Sequence, residues 1–329
     1  MHVALTKKHF AVIALILSAV LTVIFFLYLP VEIAGHRTGN VPLRIVNGGF
    51  LAVTAAAIIM FALILFTKGE YVHRQVATFV RFRHLMVLMV KRDFVTRYRR
   101  SVLGVVWSLL NPLLLMLIMT MVFSTIFGGH IENFPVYFLS GQMIFIFFSE
   151  STSLAMASVI DGSGTIKKVY VPKYIFPISR VLSSLVNLFF SFLALLFIIF
   201  VTGAPFQWTI FLSFIPIMYV VIFSMGVGMM LSAMAVFFRD ITHIYGVITQ
   251  ALFFLTPIMY SPEILPDRVY FLIHLNPLFH FVTYFRNLVL FGNIPGLWPN
   301  IISAGFAIAA LAFGMYVKMS QQDKYILYL

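Results

Sequence analysis

Residues 178–202 read ISRVLSSLVNLFFSFLALLFIIFVT, and their one charged side chain, Arg180, stands near the beginning. A helix that crosses about 30 Å of hydrocarbon needs about 20 mainly apolar residues, and this segment has that length. In lipid, every backbone polar group must be hydrogen-bonded inside the protein, which a helix achieves within one segment. The stretch therefore predicts a membrane-spanning helix.

The rest of the chain has the same apolar character. Of its 329 residues, 62% are hydrophobic and 10% are charged, which is more apolar surface than a globular protein of this length could bury. The first apolar run exceeds the core of about 7 to 15 residues found in signal peptides, so we expect a retained helix there. Length and hydrophobicity predict seven further spans, at 10–29, 46–67, 106–127, 136–158, 209–236, 245–260 and 299–318. We therefore expect an all-α polytopic membrane protein with eight crossings.

The basic residues indicate the orientation. If the N-terminus is cytoplasmic, 18 of the 22 Lys and Arg residues fall in cytoplasmic segments, as the positive-inside bias requires. Both termini are then on the cytoplasmic side of the cytoplasmic (inner) membrane. The net charge of +12 is spread over separate segments beside spans, so topology and anionic membrane lipid explain it better than nucleic acid does. The absence of cysteine excludes disulfides, thiolate metal sites and thiol catalysis.

Two segments are expected not to cross the membrane. Apolar residues recur every four positions within residues 79–105 and would form one stripe on a helix lying in the interface plane: Met86, Val90, Phe94 and Tyr98. Residues 261–298 are apolar but interrupted by prolines, which favours short re-entrant pieces on the outer side, buried in protein. These prolines are Pro262, Pro266, Pro277 and Pro295.

The expected organisation has three parts. Residues 1–70 form an extra N-terminal transmembrane hairpin, residues 71–105 hold the cytoplasmic interfacial amphipathic helix, and residues 106–329 form a six-span core. The core contains a cytoplasmic loop at 161–177 and the re-entrant outer segment at 261–298.

The loop and its continuation, DGSGTIKKVYVPKYIFPISR at residues 161–180, first suggest a phosphate-binding loop. Gly162 and Gly164 are two positions apart, and Val169 rather than Ser or Thr follows the lysines, so the spacing that wraps backbone amides around phosphates is missing. One interpretation is a plain cytoplasmic loop in which Gly and Ser make the turn. The other is a short docking helix for a soluble partner, because the loop carries an apolar surface too large to leave in water. That surface comprises Val169, Tyr170, Tyr174, Ile175 and Phe176.

Candidate catalytic and metal-binding residues are few. The nine histidines include no H-E-x-x-H pair, and the ten carboxylates offer no pair for acid and base chemistry. Glu150 lies within an apolar run, where a charge is unfavourable by about 2.5 to 3.5 kcal/mol at the centre of a helix in lipid. It either lines a path or pairs helices, or it is hydrated near the membrane edge beside Ser149 and Ser151.

Aromatic residues make up 16% of the chain. Packing, lipid contact and anchoring at the interface are the simpler interpretation for any one of them. A subset could line a carbohydrate path, because sugar rings present apolar C–H faces that stack on aromatic rings. The candidates for lining a channel are Phe145, Phe147, Phe148 and Glu150 on one span and Tyr245, Phe253, Phe254 and Tyr260 on another.

Several stretches carry a family resemblance. They are RDFVTRYRRSVLGVVWSLLNPLLLM (92–116), IKKVYVPKYIFPISRVLSSLVN (166–187), FFRDI (237–241), and PIMYSPEILP with LNPLFHFVTYFRNLVLFG (257–266 and 275–292). In order and spacing the chain, over roughly residues 80–325, resembles the permeases of polysaccharide-exporting ATP-binding-cassette transporters, of ABC-2 type. These permeases export O-antigen, capsule or teichoic-acid chains.

The resemblance implies a homodimer of six-span subunits, each associated with a separate ATPase subunit. ATP and magnesium would be bound by that partner, and this chain would hold no cofactor, metal or catalytic centre of its own. A lipid-diphosphate-linked glycan would enter near the cytoplasmic interface and move through a channel between the two permeases. The usual subunit of the family begins near the interfacial helix, so the N-terminal pair of spans is a departure.

The resemblance also assigns roles to residues. The loop between the second and third core spans corresponds to the coupling helix that contacts the ATPase, which implicates Ile166, Lys167, Lys168, Val169, Tyr170, Tyr174 and Phe176. Near the interface, arginines suit a diphosphate head group because guanidinium pairs with phosphate oxygens in a two-pronged fashion. They are Arg92, Arg97, Arg99 and Arg100, for which topology and anionic-lipid contact are the alternative.

Polysaccharide export is therefore the function that the sequence favours. The alternatives are export of a drug or small lipid on the same scaffold, a membrane-embedded glycan-processing enzyme, and a membrane scaffold without transport. The enzyme would need a cluster of polar catalytic residues at membrane depth, where the sequence offers Glu150 alone.

Overall fold

A computed structural model describes residues 78–99, 103–127, 131, 133–168, 171–238 and 240–321. Every long element in these ranges is a helix, which confirms the all-α prediction. In chain order the helices are α1 (Arg83–Tyr98), α2 (Val106–Phe127), α3 (Phe134–Asp161), α4 (Ile175–Thr202), α5 (Phe214–Phe237), α6 (Ile241–Leu255), α7 (Asp267–His274), α8 (Pro277–Val289) and α9 (Leu297–Gln321). A helical turn at Ser163–Ile166 and 3-10 helices at Trp208–Ser213 and Pro262–Ile264 complete the described elements. The predicted N-terminal hairpin, 1–70, lies outside the described residues.

Five of the described helical segments are long and apolar enough to cross a membrane: Val106–Ser124, Phe134–Asp161, Ile175–Thr202, Trp208–Phe237 and Leu297–Lys318. They agree with five of the spans predicted for the core, and the chain is a multi-pass membrane protein. The remaining predicted span, 245–260, is instead the shorter apolar helix α6 followed by a non-helical stretch.

The direction of α5 and α9 shows how α6 completes the core. Tyr219 at the beginning of α5 bonds Asn300 at the beginning of α9, and Lys318 near the end of α9 bonds Ser232 near the end of α5. The two helices are therefore parallel, so the chain between them must return across the bundle. With 1.5 Å per residue, α6 covers about 22 Å of the way, and residues 256–260 continue it.

The core centres on α3, which packs against both α4 and α5. Its sequence is apolar on most faces, as expected of a buried helix, and rings such as Phe138 and Phe147 are almost fully inaccessible. Helix α2 lies at the periphery, and among its described side chains only Pro112 and Met116 are buried. The parallel pair α5 and α9 meets at Gly226 and Gly314, where an added Cβ would lie 2.1 to 2.3 Å from backbone oxygens of the opposite helix. Glycine is needed there because the backbones touch.

Arg286 of α8 anchors the predicted re-entrant segment, and the described part of the chain places no carboxylate against it. Its guanidinium donates to the carbonyl oxygens of Pro257 at 2.6 Å, Tyr137 at 3.0 Å and Ile258 at 3.1 Å. It also lies 3.5 Å from the centre of the Tyr137 ring. Arg286 thus holds α8 against residues 257–258 and the beginning of α3. The re-entrant position of residues 261–298 stays a prediction.

Candidate functional site

The described residues of the loop (162–168 and 171–174), helix α1 and the end of α9 lie at the same end of the bundle, called here the α1 end. Met86 of α1 packs with Ile175, Phe176 and Ile178 and with Met229 of α5. The predicted apolar stripe of α1 lies on the side that faces α4, while Val87, Leu88 and Val95 are exposed. The interfacial position of α1 in a membrane stays a prediction.

A polar network ties α1 to three spans at this end. Arg97 Nη1 lies 2.6 Å from Glu150 Oε1 on α3. Asn187 on α4 donates from Nδ2 to both oxygens of Glu150, at 2.7 and 2.9 Å. The Tyr98 hydroxyl donates to Asn187 Oδ1 at 3.0 Å and also hydrogen-bonds Ser108 on α2. Of the interpretations left open for Glu150, the structure supports helix pairing.

The electrostatic balance of this network favours the ionised form of Arg97. Burial lowers the pKa of Arg97, but the contacts with Glu150 and Tyr98 together raise it more, so that the net pKa lies above its ordinary value. The side chains of Arg97 and Glu150 retain 40% and 23% of their exposure. This ion pair is therefore reachable by solvent, unlike a pair in a closed core.

A second ion-pair cluster lies about one to three turns away on the same helices. Arg180 at the beginning of α4 places Nη1 2.8 Å from Asp93 Oδ2 and Nη2 3.8 Å from Asp161 Oδ2. Ser183 donates to Asp93 at 3.0 Å, and Arg92 lies 3.5 Å from the same carboxylate. No feature of the sequence predicted this pairing, because it joins distant parts of the chain.

Between these clusters lies a cavity of about 440 Å³. Its polar wall includes Arg92, Arg97, Arg180, Ser183 and Asn187. It also includes Asp93, whose carboxylate is paired with Arg180. The chemistry of the cavity wall suits an anion that accepts several hydrogen bonds.

Among the residues that the structure describes, no group of three or more His, Cys, Asp or Glu side chains could hold a metal ion.

The four arginines predicted for a head group have different positions. Arg97 and Arg92 line the cavity, and Arg99 is exposed one residue beyond α1. Arg100 lies outside the described residues. The structure adds Arg180 and Asn187, which the sequence argument missed; both are polar residues near or within an apolar span, the same signal that singled out Glu150.

The residues predicted for coupling to an ATPase divide into buried and exposed groups. Lys167 and Lys168 are exposed and Tyr174 is half-buried, whereas Phe176 is 3% exposed and packs on Gly162. Ile175 is also fully buried, so the predicted apolar contact surface is wrong for these two side chains, which belong to the core of the chain itself. Val169 and Tyr170 lie outside the described residues, as does the side chain of Ile166.

The packing of Phe176 also corrects the interpretation of the loop glycines. Gly162 has an ordinary right-handed backbone, with φ −83°, so the turn does not require glycine conformationally. An added Cβ would lie 2.6 Å from the Phe176 ring. Glycine is needed at this position to leave space for that ring.

The candidate channel-lining residues divide in the same way. A groove of about 460 Å³ runs between α3 and α6, and its wall alternates aromatic with hydroxyl, amide and glycine residues: Phe145, Ser149, Ser153, Gly246, Thr249, Gln250, Phe253 and Phe254. Tyr260 lies near its rim and donates its hydroxyl to the Phe254 carbonyl oxygen at 2.6 Å. Phe147, Phe148 and Tyr245 are buried in the packed interior of this chain, so the prediction that they line an open path is wrong for this chain alone.

The fold and the polar α1 end define a multi-pass membrane protein of the transporter class. Residues 84–290 match the membrane family of ABC-2 type transporters, and the chain belongs to that family. The resemblance inferred from the sequence motifs is thereby confirmed.

Relatives in this family share low identity over most of their length. The O-antigen export system permease protein RfbA of Myxococcus xanthus is 26% identical over 254 residues, covering 77% of this chain and 98% of the relative. RfbA of Klebsiella pneumoniae is 27% identical over 248 residues, covering 74% and 95%. The polysialic acid transport protein KpsM of Escherichia coli is 24% identical over 236 residues, covering 70% and 91%.

Proposed function

We propose that this chain is the membrane permease of an ATP-driven transporter that exports a polysaccharide carried on a lipid diphosphate. The observation that carries the proposal is the agreement between relatives named for O-antigen and polysialic acid transport and a groove of aromatic and polar side chains on α3 and α6. Membership of the family alone would also fit an exporter of drugs or small lipids. The polar wall of the groove favours a sugar chain over such apolar cargo.

We propose that two copies of the chain assemble through α2 and α6. Tyr245 is the one residue of α6 that is buried, while Val247 and Gln250 are exposed. An amide exposed on an apolar helix is unfavourable in lipid and is better placed against protein or water. Helix α2 exposes an apolar face that includes Leu117 and Met121. A second copy would cover the apolar side chains and convert the groove into a channel.

Sugar recognition in this channel would be broad rather than specific. Phe145 and Phe253 lie in edge contact, with ring centres 5.2 Å apart, and Ser149 and Gln250 stand beside them on the wall. Aromatic faces would stack on C–H faces of sugar rings, and the hydroxyl and amide groups would exchange hydrogen bonds with sugar hydroxyls. Contacts of this kind let a polymer slide because each is weak and repeated.

The head group of the cargo would bind in the cavity beside α1. Arg97 and Arg92 are its most accessible cations, with 40% and 64% of their side chains exposed. Guanidinium groups form bidentate hydrogen bonds with phosphate oxygens. We place the α1 end on the cytoplasmic side of the inner membrane, where the lipid-linked precursor would be collected.

A separate ATPase subunit would bind ATP and magnesium and press on the loop at the α1 end. Lys167, Lys168 and Tyr174 offer the accessible contact. Phe176 and Ile175 are buried behind them against α1 and α5. Movement of the loop would therefore be transmitted to α1 and α4 by packed side chains rather than by a flexible connection.

The test is export by the reconstituted complex. Permease and ATPase are incorporated into liposomes with a fluorescent lipid-linked glycan, and ATP-dependent transfer is followed as a loss or gain of susceptibility to an added glycosidase. We expect transfer of the glycan with ATP and none without it. Transport of apolar dyes without glycan transfer would instead support the exporter of drugs or small lipids and would reject our proposal.

A further inference from the structure

Arg97 contacts a carboxylate and also lines a cavity. Its Nη1 lies 2.6 Å from Glu150 Oε1, yet 40% of its side chain is exposed and it lines the cavity proposed for the head group. A guanidinium has a limited set of coplanar N–H donors. A phosphate that binds it fully must therefore compete with Glu150.

Glu150 keeps other hydrogen-bond partners when Arg97 moves away. Asn187 donates to both of its oxygens, at 2.7 and 2.9 Å, and Tyr98 in turn donates to Asn187. The Glu150 side chain is also 23% exposed, so that water can reach it. A carboxylate with these remaining contacts is not left buried and unpaired when Arg97 turns to another anion.

The other cations of the cavity differ from Arg97 in their carboxylate partners and in their exposure. Arg180 has two carboxylate partners, Asp93 and Asp161, and only 19% of its side chain is exposed. Arg92 is 64% exposed and lies 3.5 Å from Asp93. Among the residues that the structure describes, Arg97 is therefore the cation of the cavity that combines accessibility with one close carboxylate partner.

We propose that Glu150 is an internal competing anion that occupies Arg97 until a multiply charged phosphoryl head group displaces it. This inference rests on the proposed function, and Glu150 acts as a positioning residue that does not touch the cargo. Membranes contain many phosphodiesters with a single charge. A ligand must displace the Glu150 carboxylate to bind Arg97. The internal anion lowers the apparent affinity of Arg97 for every other anion. A singly charged phospholipid, which binds more weakly, is thereby kept from the site while a diphosphate still binds.

The test measures binding to the assembled transporter in nanodiscs of zwitterionic lipid. The probes are a short-chain polyprenyl diphosphate and phosphatidylglycerol. In Glu150→Gln, which keeps the size of the side chain, we expect the affinity for both to rise, for the diphosphate by about tenfold, in the range of one charged hydrogen bond. Phosphatidylglycerol should gain by about the same factor, because both ligands displace the same carboxylate, and should then bind at concentrations at which the wild type excludes it.

Three further variants make the result specific. Glu263→Gln removes the same charge from an exposed site in the re-entrant segment and should change neither affinity. Arg97→Gln should weaken diphosphate binding, and adding Glu150→Gln to it should have no further effect. Glu150→Asp draws the carboxylate back by one methylene and should give a smaller gain of the same sign.

An unchanged or weaker affinity in Glu150→Gln, with Glu150→Asp agreeing, would overturn the inference and make Glu150 a support that orients Arg97. A gain that persists in the Arg97→Gln background would also overturn it. Because the wild type is assayed for glycan export in parallel, the two proposals fail separately. If the wild type exports the glycan but Glu150→Gln does not bind the diphosphate more tightly, only the internal-anion proposal is rejected. If the diphosphate binds but no glycan is exported, the proposed function is rejected.

Discussion

The two ends of the molecule use arginine in opposite ways. At the end with the re-entrant segment, Arg286 is 4% exposed and donates to three carbonyl oxygens. At the α1 end, Arg97 and Arg180 pair with carboxylates and keep 40% and 19% of their side-chain exposure. A charge held by carbonyls in a closed site fixes backbone segments together, whereas one held by a carboxylate beside a cavity can exchange partners.

This contrast fits the roles proposed for the two ends. A re-entrant segment, as predicted for residues 261–298, would have to keep irregular backbone buried at membrane depth, which requires every polar group to stay paired. The α1 end must admit a charged head group and respond to another subunit. Rigidity at one end and exchangeable pairs at the other follow from the partners that each arginine has.

The largest expected effect is the loss of stability when Arg286 is replaced. Arg286→Met fills similar space but removes three hydrogen bonds from a charged group. Ile258 loses the donor to its carbonyl oxygen, whereas Tyr137 O keeps the Ser140 hydroxyl at 2.7 Å and Pro257 O keeps the Tyr137 hydroxyl at 3.5 Å. A hydrogen bond to a charged group contributes about 1.5 to 3 kcal/mol, so we expect a loss of about 3 kcal/mol or more. Thermal unfolding in detergent measures it. The control Arg92→Met, at an exposed site, should change stability by about 0.5 kcal/mol or less; equal effects of the two variants would refute the contrast.

A comparably large loss should follow at the α1 end when packing rather than charge is removed. Phe176→Ala empties the site above Gly162 and should reduce stability by about 3 kcal/mol or more. Tyr174→Ala, two residues earlier and half-buried, should leave the fold intact and weaken co-purification of the ATPase by about fivefold or more. The reverse pattern, a stable Phe176→Ala that fails to bind the ATPase, would restore Phe176 as a direct contact.

A smaller effect is expected from the exchangeable pairs. Arg180→Gln leaves Asp93 with Ser183 and a distant Arg92, and should loosen α1 by about 1 to 2 kcal/mol. Limited proteolysis with chymotrypsin at Phe94 and Tyr98 measures this loosening as a rate about tenfold higher. Arg92→Gln serves as the matched control with the same change of charge and little expected effect. Cleavage that is unchanged in Arg180→Gln would mean that α1 is held by its apolar contacts alone.

The spans of the core could be predicted from sequence because hydrophobicity is a local property. The exception is instructive: α6 begins at Ile241 and ends at Leu255, whereas the sequence indicated a span at 245–260. Hydropathy does not separate an apolar helix from the apolar non-helical stretch that follows at Pro257. The parallel direction of α5 and α9, a tertiary property, is what assigns the crossing.

The site was predictable in its residue types and only partly in its pairings. Glu150 was found because a charge inside an apolar run needs a partner, and the same reasoning applied to Arg286, which lies among Phe281 and Phe285, would have found it. Its place in a proline-rich outer segment concealed that signal. Which arginine meets Glu150 or Asp93 depends on how α1 lies against α3 and α4, and this geometry has no local signature in the sequence.

The smallest expected effect is the response to salt, and it compares the two ends directly. At about 1 M salt the screening length falls to about 3 Å, which weakens exposed charge pairs while buried ones change little. Exposed pairs contribute about 0.2 to 1 kcal/mol, so amide hydrogen exchange in α1 should quicken by about two- to fivefold. Exchange in α8, which carries Arg286, should stay constant and serves as the internal control. In Glu150→Gln part of the salt response of α1 should already be lost, because one of its pairs has gone. If α8 responded to salt as strongly as α1, the carbonyl-bound arginine would be no more fixed than the paired ones, and the division of roles between the two ends would fail.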